Sequence, residues 1–63
     1  MKPQLVVYMN LAGHFWVEVY ETFAQAWQAQ VDAPAKGLTP VAHQPIPEDV
    51  YVFHRAAEGN LPE

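Results

Sequence analysis

The chain has 63 residues, 51% of them apolar, with no cysteine and a formal charge of −4 from three basic and seven acidic side chains. Domains typically run to about 100–200 residues, so this length leaves room for one folding unit; the missing cysteines exclude disulfide staples and thiolate metal sites, and the acidic balance argues against a nucleic acid backbone or an anionic membrane as partner. Nine of the apolar residues are alanine, so the core is thin, and at this size burial at roughly 25 cal/mol per Å² barely offsets an ordering entropy of about 1.5 kcal/mol per residue.

The first predicted elements are two alternating segments, Gln4 to Asn10 and His14 to Glu21, rich in β-branched and aromatic residues and joined by Leu11, Ala12 and Gly13. They read as a hairpin with a three-residue loop, in which Gly13 takes the position that needs positive φ. Pairing Asn10 with His14 then sets Met9 against Phe15, Val7 against Val17 and Leu5 against Val19 on one face. Tyr8 pairs with Trp16, Val6 with Glu18 and Gln4 with Tyr20 on the other. The first face is uniformly apolar and is expected to be the core side, because a one-residue slip would bring Glu18 into it.

Thr22 and Gln25 form a capping box, the Thr hydroxyl accepting from the Gln25 amide and the Gln side chain reaching back to the Thr22 amide. A helix is expected from Phe23 to about Asp32, ended by Pro34, with Phe23, Trp27 and Val31 pointing at the sheet. Residues 33–49 carry Pro34, Pro40, Pro45 and Pro47 with Gly37. This composition predicts a long Pro-rich connection pinned by Leu38, Val41 and Ile46, with room for a short edge strand around Val41. Val50 to Arg55 alternates and reads as the third strand, and residues 56–63 as a flexible tail.

The expected fold is therefore α+β: a ββαβ domain over residues 1–55, with a three-stranded antiparallel sheet in the order 2-1-3 and one helix packed on one face. The longest apolar run, Leu5 to Met9, falls far short of the roughly 20 residues that span a bilayer, and no basic region with a following apolar stretch marks a secretory signal. A cytoplasmic location is expected, with no membrane partner.

Chemistry is sparse. His14, His43 and His54 have no ligand spacing, so neither a metal nor any other cofactor is expected. Serine and cysteine are both absent, the two threonines are a cap and a pre-proline residue, and only a Glu18–His54 pair on the sheet surface suggests acid–base work. With pockets for small molecules typically needing about 300 Å³ or more, a chain this short is expected to be no enzyme and to take no small-molecule substrate. Single-stranded nucleic acid platforms also use aromatic sheets, but they pair stacking with a basic groove, whereas this face carries Glu18.

With the helix covering the other side, Val6, Tyr8, Trp16, Glu18 and Tyr20 are expected to form an uncovered aromatic face, the candidate partner-binding residues. Rings of this kind anchor protein interfaces. Three coverings compete: the Pro-rich segment folding back, a second copy packed sheet to sheet, or a different protein. The leading expectation is a small acidic, non-enzymatic protein-interaction module that modulates or inhibits a host protein with a basic surface, steered by Glu18, Glu21, Asp32, Glu48 and Asp49. Its format is that of phage or mobile-element accessory proteins, although no motif carries that comparison. The alternative is a self-associating structural domain, a homodimer with no external partner.

Overall fold

The hairpin forms in the expected register. In the computed structural model, which describes residues 2–59, β1 (Gln4–Asn10) and β2 (Phe15–Tyr20) pair antiparallel with Leu5 opposite Val19, Val7 opposite Val17 and Tyr8 opposite Trp16. Asn10 closes the loop three ways. Its amide donates to the His14 carbonyl at 2.9 Å, its carbonyl accepts from the Gly13 amide at 3.0 Å, and its Oδ1 accepts from the Ala12 and His14 amides at 2.9 and 3.0 Å. Gly13 has φ of 84°, the left-handed region that only glycine enters cheaply.

Helix α1 (Phe23–Asp32) starts at Thr22, whose hydroxyl accepts from the Gln25 amide at 3.1 Å. The Gln25 side chain accepts from the amide of Glu21 rather than that of Thr22, at 3.0 Å. A 3-10 turn (Ala33–Lys36) carries Pro34 in its first turn, where a missing amide costs nothing, and ends at Gly37 with φ of 76°.

The chain then departs from expectation. The segment 33–49 is no loop: Leu38–Pro45 forms strand β3, antiparallel to β1, with Val6 opposite His43 and Val7 opposite Ala42, and a bulge where Val41 is the extra residue. Pro40 and Pro45 sit opposite Tyr8 and Gln4. Even-numbered residues of β1 turn their peptide groups toward β2, as the Asn10 to His14 bond requires, so the residues of β3 opposite them point their nitrogens at the open edge. Prolines are tolerated there and block further strand pairing.

The third expected strand is instead a helix, α2 (Glu48–Gly59). Pro47 accepts the first helical bond, from the Tyr51 amide at 3.1 Å, and Glu48 and Asp49 place carboxylates at the positive end of the dipole. Six alternating residues were too few to distinguish a period of 2 from the half-buried helical arc of Val50, Tyr51 and His54. The expected tail thus overlaps α2 through Gly59, and its last residues, 60–63, lie outside the described residues.

The sheet is antiparallel in the order β2-β1-β3, and the whole is an α+β fold with two helices rather than ββαβ with one. The core gathers on the face formed by Gln4, Val6, Tyr8, Trp16 and Tyr20, not on the uniformly apolar one. Val6 is fully buried and Tyr8 nearly so, packed with Ala26 and Ala33 and flanked by Trp16, Tyr20 and Leu38. With the even-numbered peptide groups of β1 turned toward β2, a right-handed connection from β2 through α1 to β3 puts the helix on the even-numbered face.

Large rings on the sheet then require small residues on the helix. Ala26 and Ala33 are buried and Ala29 and Gln30 half-buried, while Phe23, Trp27 and Val31, expected to face the sheet, are exposed. Alpha-carbon extents of 30 × 30 × 14 Å hold a sheet and one helical layer, since packed layers stand about 10 Å apart. The odd-numbered face consequently lacks a helical layer of its own. α2 packs against β2, and Val19 and Ile46, at the Pro3 end of that face, are the part of it that is buried.

Candidate functional site

The five residues expected to form a docking face lie under and beside α1. Val6 and Tyr8 are buried core and offer no area to a partner, which corrects the expectation that this face is the open one. Trp16, Glu18 and Tyr20 are half-buried, because α1 leaves part of β2 uncovered. A cleft of about 280 Å³ remains there, lined on the sheet side by Tyr8, Trp16, Glu18 and Tyr20 and on the helical side mainly by alanines and Lys36.

Strand geometry dictates this arrangement. Residues 16, 18 and 20 project from one face at intervals of about 6.8 Å, so the carboxylate stands between two aromatic rings. Tyr8 completes the wall, its ring centroid 6.3 Å from that of Trp16 and its hydroxyl 2.9 Å from the Tyr20 hydroxyl. Among the described residues, no hydrogen bond or ion pair engages Glu18.

The opposite face of the sheet is the surface that sequence reasoning missed. Its central strand presents Leu5, Val7 and Met9, half-buried, and β2 presents Phe15 (63% exposed) and Val17 (39%). Register places Thr39, Ala42 and Gln44 on the same side, so these positions carry no charge. The signal was available in the hydrogen-bonding phase of Asn10 taken together with the handedness of the crossover.

Beside this face, a notch of about 220 Å³ is lined by Pro3, Glu21, Glu48 and Tyr51. It brings together two of the acidic residues expected to steer a partner, while Asp32 is bonded through both carboxylate oxygens to Gln28 Nε2, at 3.2 and 3.3 Å.

The histidines are scattered. His14 is exposed at the hairpin end; His54 lies on α2, edge to face with Phe53 at 6.0 Å, so it does not share a sheet surface with Glu18. His43 is held between Gln30 and Gln4 on the α1 side of the sheet, at 2.8 Å from each. Among the described residues no group of three His, Asp or Glu side chains is placed to hold a metal ion, and no helix is long and apolar enough to cross a membrane. Comparison with protein-family models, with curated proteins and with solved structures finds no match for this chain.

Proposed function

We propose that this chain is a small non-enzymatic protein-interaction module that docks through the odd-numbered face of its sheet. The observation that carries the reading is the apolar surface of Met9, Phe15 and Val17 on a sheet face that is buried at its Val19 end and lacks a full helical layer. A domain this small seldom leaves such a surface in water without a partner. The notch between Glu21 and Glu48 at the edge of that face suits a Lys or Arg side chain, so the partner has an apolar patch bordered by basic residues. Binding of that kind modulates or blocks the partner by occupying its surface.

A charged double variant tests the reading. Phe15→Glu with Val17→Glu alters only exposed positions of that face, leaving the core intact. The wild-type chain, used as bait against an extract of its native host, is expected to retain a protein that the variant loses, and the captured complex is expected to weaken as salt is raised. Identical retention by folded wild type and variant would contradict docking through this face.

A second reading has its own support. A face with no charge meets its own copy across a twofold axis without like-charge repulsion, which favours a sheet-to-sheet homodimer. Sedimentation across a range of concentrations separates the two: a mass that stays at 7.1 kDa favours an external partner, and one that doubles favours self-association.

A further inference from the structure

We infer that the cleft beside α1 is a binding site for a methylated ammonium cation. The site does not rest on docking through the open face, which lies on the other side of the sheet. Two half-buried aromatic side chains, Trp16 and Tyr20, line one small concavity together with the Glu18 carboxylate, and the otherwise buried Tyr8 backs them. An aromatic ring attracts a cation held within about 6 Å of its centroid, and a carboxylate between two rings supplies the balancing charge.

Two features of the cleft select the class of ligand. Glu18 is half-buried and no hydrogen bond or ion pair engages it among the described residues, so its carboxylate is available to a cation that enters the cleft. The cleft, at about 280 Å³, is closed on its far side by Ala29, Ala33 and Leu38. Methyl groups pack against such a wall, whereas a bare ammonium is strongly hydrated and would lose its water there. A quaternary or trimethylated ammonium therefore fits better than an unmodified lysine.

Lys36 lines the same cleft and opposes a cation. Its side chain is exposed, and a long stem can cover apolar wall while the charge stays in solvent. Removing the Lys36 charge must therefore strengthen binding rather than weaken it.

The same chemistry comes from two sources, a free choline-type molecule or a trimethyllysine side chain of another protein. Tetramethylammonium is the first probe, titrated into the full chain and followed by amide and indole NMR shifts. Saturable shifts at Trp16, Glu18 and Tyr20 are expected, with the exposed indole of Trp27 serving as a control. Glu18→Gln is expected to weaken binding about tenfold, and Lys36→Ala to tighten it severalfold. Choline and a trimethyllysine peptide then distinguish the sources by which binds more tightly. Binding of 3,3-dimethylbutan-1-ol, the neutral isostere of choline, as tight as that of choline, shifts no larger at Trp16 than at Trp27, or weaker binding by Lys36→Ala would each overturn the site. Because Glu18 and Lys36 are not core residues, both variants are expected to keep the wild-type fold, which their amide spectra check directly.

Discussion

The Nε2 of Gln30 lies 2.8 Å from Nδ1 of His43 and also donates to the Ala26 carbonyl at 3.2 Å, tying the last turn of α1 to strand β3. Because the Gln30 amide is the donor, Nδ1 accepts and the imidazole carries its proton on Nε2, which donates to Gln4 Oε1 at 2.8 Å. Gln4 Nε2 in turn donates to the Lys2 carbonyl at 3.0 Å. The side chain of Gln4 is buried and every polar atom in the chain of bonds has a partner. Replacing His43 by Leu leaves the Gln4 oxygen unpaired in the interior, which is expected to cost about 1–3 kcal/mol. Urea unfolding measures the loss, and a change below roughly 0.5 kcal/mol would mean the network is slack.

The helix face is tested by a contrast between two substitutions. Ala26 is fully buried beneath the sheet rings, so Ala26→Leu is expected to destabilise by about 1–3 kcal/mol through overpacking. Val31 is 56% exposed, and Val31→Gln is expected to stay within about 0.5 kcal/mol of wild type. Thermal or urea unfolding gives both numbers, and the reverse ranking would restore the orientation expected from the stripe of Phe23, Trp27 and Val31.

Gly13 isolates a pure backbone cost. A Cβ built there meets nothing within 4 Å, while φ is +84°. Gly13→Val is therefore expected to destabilise by about 1–2 kcal/mol through the local backbone clash alone, with nothing from the rest of the fold against its Cβ. A neutral result by the same unfolding measurement would mean the loop relaxes to another turn.

The prolines of β3 make a prediction about association. Pro40 and Pro45 face the open edge, so replacing both by Val restores two outward amides to a strand of high β propensity. Light scattering at increasing concentration is expected to show larger assemblies for the double variant than for wild type. Unchanged scattering would mean that the edge is guarded by something other than proline.

Local patterns were legible wherever one short-range device decided the outcome. The loop of Leu11 to Gly13 set the register, Thr22 set the start of α1, and Pro34 set its end. The choice of sheet face was not legible from side-chain polarity, because both faces of the hairpin are largely apolar and the deciding terms are the direction of the Asn10 peptide and the hand of the crossover. The Pro-rich segment hid β3 because proline content reads as loop, when at outward positions of an edge strand it is neutral. α2 was hidden by the shortness of its alternating stretch, although Pro47, Glu48 and Asp49 form a helix start signal. Of the residues expected to bind a partner, Trp16, Glu18 and Tyr20 remain accessible in a cleft, while Val6 and Tyr8 went to the core with the face that carries them.

Thiol reactivity tests which side of the sheet is covered, the relationship from which the docking face and the aromatic cleft both descend. The chain has no cysteine, so Val6→Cys and Val17→Cys each introduce a unique reporter of similar size on opposite faces. In dilute solution the thiol at position 17 is expected to react with a water-soluble disulfide reagent at nearly the rate of an unfolded peptide, and the thiol at position 6 at least a hundredfold more slowly. Fast reaction at position 6 with protection at position 17 would place α1 on the other face and contradict the account.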